Sequence, residues 1–227
     1  MKSSVSVEDF LKSIYLIKKD EGQKVTCSLL AKQLKISNPA VTDMARKLSR
    51  KGLIRYEKYK ELRLSVAGKK IALNMVRRHR LWETFLHRVL QLDLQSIHKE
   101  AEHLEHESSE FLINRIAEFL GEPLYDPHGD PIPDSEGVLP GIGDVIRLSE
   151  AKVGDSGFIV RLKFSKPEYT MFYDKYSLNI GSPIKVISKD DRDGTYELNS
   201  ENQYFFAGKN MVNQIFLTLN NYGDNII

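Results

Sequence analysis

Residues 29–66 read LLAKQLKISNPAVTDMARKLSRKGLIRYEKYKELRLSV, and this stretch decides the fold of the N-terminal third. Leu29, Leu30, Ala31 and Leu34 put apolar side chains on one face of a short helix. Lys35-Ile36-Ser37 is a turn. Ser37 or Asn38 can cap the helix that follows, and Pro39 suits its first turn, where no N–H donor is needed. Val41, Ala45 and Leu48 continue the apolar stripe towards Lys51, and Gly52 ends it. Leu53 to Glu57 and Leu62 to Val66 alternate apolar and polar residues around Lys58-Tyr59-Lys60-Glu61, which predicts a two-stranded hairpin. Upstream, Phe10, Leu11, Ile14, Tyr15 and Ile17 mark a first helix over residues 7–19, closed by Gly22. Three helices followed by a hairpin describe a winged helix-turn-helix.

Charge is distributed to match. The chain of 227 residues has a formal net charge of +2, yet residues 1–80 hold 20 Lys/Arg against 7 Asp/Glu, and residues 81–227 hold 13 against 24. A basic end suits a polyanion, here double-stranded DNA. In this motif the second helix lies in the major groove, with its first residues against base edges. Those residues are Ser37, Asn38, Pro39, Ala40, Thr42 and Asp43. Small side chains allow close approach and contact with thymine methyls, while Asp43 either accepts from cytosine or pairs with a nearby lysine. Arg46, Lys47, Arg50 and Lys51, with Lys58 and Lys60 on the wing, are expected to face phosphates.

The remaining composition excludes several classes. No apolar run reaches the ~18 residues of a membrane span. Met1 to Phe10 lacks the basic-then-apolar layout of a signal peptide. Cys27 is the only cysteine, so there is no disulfide framework. A cytoplasmic protein is the expectation, with neither a membrane nor a small-molecule substrate as partner.

Beyond the hairpin, helical patterns run from Ala67 to about Leu90, from Leu94 to about Glu107, and through Phe111, Ile113, Ile116, Phe119 and Leu120 to Gly121. Asp126-Pro127-His128-Gly129-Asp130-Pro131-Ile132-Pro133 reads as a stiff linker. From about Gly141 the pattern becomes short β segments: 144–148, 157–162, 183–188, 195–198 and 213–219. A small β-barrel is the natural reading. The expected division is a DNA-binding domain over 1–73, a helical dimerisation and metal-binding domain over 74–140, and a β domain over 141–227.

Histidines and carboxylates concentrate between 79 and 106. His79 and Glu83 are four residues apart; His98, Glu102, Glu105 and His106 follow at steps of four, three and one. Residues three or four apart share a helix face, so two such helices can close a cage around a divalent metal. A lone histidine is usually a packing residue, but several carboxylates buried together need a cation. The donors are oxygen and nitrogen with no thiolate, which suits Mn²⁺, and also Fe²⁺, better than copper or structural zinc. His103 and His87 fall off these stripes and are read as surface or packing residues.

At this point the sequence resembles the diphtheria toxin repressor family of iron- and manganese-dependent regulators. The resemblance rests on Ile14-Tyr15, Ser37-Asn38-Pro39-Ala40-Val41-Thr42, Leu64-Ser65-Val66-Ala67-Gly68, Arg78-His79-Arg80-Leu81-Trp82-Glu83, Glu105-His106 and Gly129-Asp130-Pro131-Ile132-Pro133. It spans nearly the whole chain. It implies a multidomain, mainly α protein: a winged helix-turn-helix, a helical dimerisation domain and a C-terminal SH3-like β-barrel. It also implies a homodimer that binds palindromic operators when metal-loaded, with two metal positions per subunit. One would use His79, Glu83 and His98, completed by Glu168 from the SH3-like domain, and Asp126 and His128 are further candidates there. The other would use Asp9, Glu102, Glu105 and His106. Iron-type members place Met and Cys where this chain has Asp9 and Glu102, so the resemblance points to the manganese branch. Small two-domain manganese regulators carry Glu where this chain has Lys12, and a cationic side chain does not ligate metal. Two separated positions are therefore expected rather than a close pair.

The favoured reading is a metal-activated repressor of metal-uptake genes, not an enzyme. Two alternatives stand beside it. One is a winged-helix regulator with a structural metal and another effector. The other is a metal-dependent hydrolase, which the absence of a nucleophile or general-base arrangement beside the cage disfavours.

Overall fold

The structure is a computed structural model that describes residues 7–21, 24–58, 60–141, 144–164 and 166–219. Helix α1 (Val7–Glu21) buries Phe10, Leu11, Ile14, Tyr15 and Ile17, the stripe read from the sequence. Helix α2 (Cys27–Leu34) begins at Thr26, whose hydroxyl accepts from the Leu29 N–H at 3.2 Å. It ends at Lys35, which adopts a left-handed φ of 54°. That single residue reverses the chain, so α3 (Asn38–Arg50) starts almost at once. Ser37 caps α3 by accepting from the Ala40 N–H at 3.3 Å, and Val41, Ala45 and Leu48 face inward.

The wing consists of β1 (Ile54–Arg55) and β2 (Arg63–Leu64), antiparallel, with Ile54 opposite Leu64. It is shorter than the alternation suggests, because Leu62 leaves the hairpin and donates its N–H to the Val25 carbonyl at 2.8 Å. The strand thereby ties the wing to the segment before α2. Gly22 and Tyr59, assigned above to a helix end and the wing tip, lie outside the described residues.

Helix α4 (Val66–Arg88) is launched from Ser65. The Ser65 N–H and hydroxyl both donate to the Leu53 carbonyl (3.0 and 2.9 Å), and the hydroxyl accepts from the Gly68 N–H at 3.1 Å. A Cβ at Gly68 would sit 2.0 Å from the Leu53 oxygen, so this crossing requires glycine. Helices α5 (Leu94–Glu107) and α6 (Glu110–Phe119) follow where expected.

The chain divides into two compact units, one of Met1–His79, Leu104–Asn114 and Pro133–Val138, the other of Arg80–His103, Arg115–Ile132 and Leu139–Ile227. The boundaries fall inside α4, α5 and α6. The first unit has a core of Phe10, Leu11, Ile14, Leu30, Val41, Leu48, Ile54, Leu62 and Val76.

The second unit contains β3 (Val145–Arg147), a 3-10 turn at Leu148–Glu150, β4 (Ser156–Leu162), α7 (Pro167–Lys175), β5 (Pro183–Asp190), β6 (Thr195–Ser200), β7 (Gln203–Ala207), α8 (Lys209–Val212) and β8 (Ile215–Thr218). The strand order is β3-β8-β4-β5-β6-β7, every pairing antiparallel. Register shifts at Ile159/Arg161 and Val186/Ser188 bend the sheet over a core that includes Ile159, Tyr173, Leu198, Phe205 and Leu217. Among the described residues the ladder ends at β3 and β7 instead of closing. Helix α7 and strand β7 were not read from the sequence. PEYTMFYDK is rich in aromatic residues, which favour strands, and only Pro167 at the first turn signals a helix.

Residues 126–132 are keyed to β4 within the second unit. The Leu162 N–H donates to the His128 carbonyl at 3.0 Å, and the His128 ring lies 4.6 Å from that of Phe164. Arg80 is 3.5 Å from Asp126 and 3.6 Å from Asp130, and Arg161 also pairs with Asp130. Gly129 has φ of 80°, and a Cβ there would lie 2.0 Å from the Val160 carbonyl oxygen. Gly129→Ala should therefore destabilise the protein by more than about 1 kcal/mol. Chemical denaturation checks this; an unchanged midpoint would show that the segment is not held against β4.

Candidate functional site

The first turn of α1 carries Glu8 and Asp9, and the last turn of α5 carries His106. Acids at a helix N-terminus and a base at a C-terminus both complement the backbone dipoles. Here they meet in the first unit. His106 Nδ1 lies 3.1 Å from Glu8 Oε2, and Nε2 lies 2.9 Å from Asp9 Oδ1 and 3.5 Å from Glu105 Oε1. Asp9, Glu105 and His106 each offer one ligand atom within 4.8 Å of the others. Such a set of two carboxylates and one imidazole fits a hard or borderline divalent cation.

Glu105 is the buried member, with 1% of its side chain exposed. Lys12 Nζ donates to both its oxygens at 2.8 Å, and His79 Nδ1 is 2.6 Å from Oε2. Burial pushes the Glu105 carboxyl up, but the His79 hydrogen bond and the Lys12 charge outweigh it and hold it below the ordinary carboxylate range. Burial likewise opposes the charge on His106. The Glu8 hydrogen bond and the Asp9 and Glu105 charges prevail, raising its pKa.

The predicted ligands divide unevenly. Asp9, Glu105 and His106 come together, whereas Glu102 is exposed and lies 3.6 Å from His98 Nε2. Glu8, which sequence reasoning missed, contacts His106 directly; its only sequence signal is adjacency to Asp9. His79 and Glu83 are one turn apart on α4. In the second unit, buried Glu83 Oε1 lies 3.1 Å from His98 Nδ1. Asp126 and His128 are also buried there. Burial, then the Asp130 and Glu83 charges, keep the Asp126 carboxyl well above its ordinary pKa despite Arg80. Glu168 is exposed on α7 and 3.3 Å from Lys166, and it joins no metal-type grouping among the described residues.

On α3, Ser37, Asn38, Pro39, Ala40, Asp43, Arg46, Lys47 and Arg50 are exposed and Thr42 is half-buried. Asp43 and Lys47 are 3.6 Å apart, one turn along the helix. Lys58 and Lys60 are exposed on the wing. These features define a winged helix with an exposed, basic α3 and a hard-ligand cluster in the same unit.

Known proteins are similar to this chain in sequence and in fold. The family model described as the iron dependent repressor N-terminal DNA binding domain matches residues 2–62. The iron dependent repressor metal binding and dimerisation domain matches residues 65–134. The HTH-type transcriptional regulator MntR of Bacillus subtilis is 37% identical over 101 residues, covering 44% of this chain and 70% of that protein. An uncharacterized HTH-type transcriptional regulator of Methanocaldococcus jannaschii is 39% identical over 103 residues, 45% of this chain and 82% of that one. A manganese-dependent transcriptional repressor in complex with manganese superposes with a TM-score of 0.87 at 30% identity, covering 93% of this chain and 99% of that one. ScaR with bound Zn²⁺ gives 0.81 at 29% identity, covering 94% and 99%. The chain belongs to the diphtheria toxin repressor family of iron- and manganese-dependent regulators, in its manganese branch with an SH3-like C-terminal domain.

The other end of α1 is tied to the wing. Glu61 lies 2.7 Å from Lys18 of α1 and 2.9 Å from Arg63 of β2, and the hydrogen bonds to these two cations lower its pKa from 4.5 to about 2. A depressed carboxyl pKa stabilises the fold above the unfolded value and ceases to do so as pH falls through the folded one. The difference in melting temperature between the wild type and Glu61→Gln should be constant above pH 4.5 and shrink as pH falls towards 2. A difference that does not change with pH would remove this tie.

Proposed function

We propose that this chain is a cytoplasmic, metal-dependent transcriptional repressor that binds palindromic operators as a homodimer and controls metal-uptake genes. The preferred ion is Mn²⁺, with Fe²⁺ as the other candidate. One observation carries the reading: Asp9 belongs to the first helix of the DNA reader and shares its cluster with Glu105 and His106 of α5. The oxygen-rich, thiolate-free donor set supports the choice of metal.

When bound, the cation neutralises carboxylates that otherwise repel and gives them a common partner. Asp9 then holds α1 against α5, and Glu105 and His106 supply the α5 side of the clamp. His106 gives up its proton to ligate. With α1 fixed, α3 and the wing are fixed too, and the two recognition helices of a dimer keep the spacing of half-sites about one helical turn apart. This is a population shift, driven by tighter metal binding to the clamped state.

His79, Glu83 and His98 are proposed as a second, stabilising position. Its support is the one-turn spacing on α4 and the Glu83–His98 contact. His79 Nδ1 is engaged by Glu105, so Nε2 is the nitrogen for that role. Asp126, His128 and Glu168 remain candidates to complete it, and Glu102 to complete the first. The dimer is assigned to the helices after the wing, where α6 exposes Phe111 and Phe119 (77% and 70%). Domains over 1–73, 74–140 and 141–227 are part of this proposal, supported by the spans of the two family models.

Asp9→Ala and His106→Ala should each leave a folded dimer but remove the metal-dependent gain in DNA affinity, on the order of 5–150-fold for a coupling of about 1–3 kcal/mol. His79→Ala should only weaken the response. Fluorescence anisotropy with labelled operator, with and without Mn²⁺, reads all three; full responses from Asp9→Ala and His106→Ala would refute the clamp. Affinity should also fall linearly on logarithmic axes with salt, as phosphate contacts require, and a flat salt dependence would contradict the DNA-reading role of Arg46, Lys47, Arg50, Lys58 and Lys60.

A further inference from the structure

We propose that the Lys12 ammonium is a tethered cation that occupies one of two cation positions in the α1–α5 cluster, so that this cluster takes a single divalent metal ion. The inference rests on the metal-dependent reading above and deepens it.

Lys12 Nζ donates to both Glu105 oxygens at 2.8 Å each and lies 3.2 Å from His79 Nδ1, which itself donates to Glu105. An ammonium has three donor hydrogens and no acceptor, so two of them are spent on the two oxygens of Glu105. The side chain is only 12% exposed, and its main partner Glu105 only 1%. A charge buried this far persists only when it is paired, and removing one partner of such a pair leaves the other uncompensated. The Glu105 carboxylate, with His79 hydrogen-bonded to it at 2.6 Å, is thus a metal-type ligand whose cation is already supplied by the chain.

Asp9 and Lys12 are three residues apart on α1 and share its face. Asp9 contacts His106, which lies 3.5 Å from Glu105 Oε1, whereas Lys12 contacts both Glu105 oxygens and His79 contacts Oε2. The cluster therefore has two positive positions. One is filled by Lys12, and the other is bounded by Asp9, His106 and Glu105. Two consequences follow. The metal count at this cluster is one. And α1 is already fastened to α5 through Lys12–Glu105 in the metal-free protein, so metal completes a half-made contact.

The test uses the full-length, metal-stripped protein. Mn²⁺ bound per protomer is counted by equilibrium dialysis, and electron paramagnetic resonance distinguishes isolated from spin-coupled ions. Lys12→Glu should bind one more Mn²⁺ per protomer than the wild type, with the spectrum of a coupled pair. Asp9→Ala should bind one fewer. If Asp9→Ala leaves the count unchanged, the metal reading of the cluster itself fails. If Asp9→Ala lowers the count but Lys12→Glu reproduces the wild-type number and spectrum, the Lys12 proposal is overturned and the metal reading survives. Lys12→Gln, which has an amide oxygen and no charge, carries the same count should Lys12→Glu not fold. A metal-independent readout is hydrogen exchange of the α1 amides in metal-free protein. Exchange should be faster in Lys12→Gln than in the wild type, and equal rates would overturn the fastening role.

Discussion

A carboxylate sealed from water has to be matched by positive charge, and the account of this protein depends on how Glu105 meets that requirement. Lys12 from α1 and His79 from α4 neutralise it directly, and His106 stands beside it. Three helices are thereby drawn to one atom group. The same requirement explains why the neighbourhood attracts cations in general. Glu8 and Asp9 add two acids at the start of α1, both in contact with His106.

Helix α1 converts that local chemistry into a property of the DNA reader. Its first turn meets the cluster, its middle forms the core of the first unit, and its last turn holds the wing through Lys18 and Glu61. Helices α2 and α3 and the wing share one buried core with this helix. In the second unit, a different balance of acids and guanidinium groups is struck around Arg80, Arg161, Asp126 and Asp130. There the result is a proline-rich segment packed on β4 rather than a free linker.

Much of this was legible in residue order. Ser37 and Pro39 announce α3, and Ser65 with Gly68 marks the crossing under Leu53, because each is dictated by backbone chemistry within a few residues. The grouping of Asp9, Glu105 and His106 came from the family resemblance together with helical spacing. Glu102 shows the limit of spacing. It lies one turn from both His98 and Glu105/His106, so sequence alone leaves it a choice of partner, and the structure places it beside His98. Glu8 was invisible because an acid in the first helical turn is common for dipole reasons alone. The sequence marks Lys12 only as a cationic side chain that does not ligate metal. Its actual place, between Glu105 and His79, follows from contacts 67 and 93 residues away in sequence, which no local pattern encodes. Helix α7 escaped because PEYTMFYDK is rich in aromatic residues, which favour strands.

The central claim is that a divalent cation in the α1–α5 cluster switches the DNA reader. It is tested most directly by letting metal-stripped protein select fragments from genomic DNA, with and without added Mn²⁺. The account predicts a palindromic sequence recovered only when Mn²⁺ is present. The same palindrome recovered in both conditions would make any metal structural and would contradict the switch.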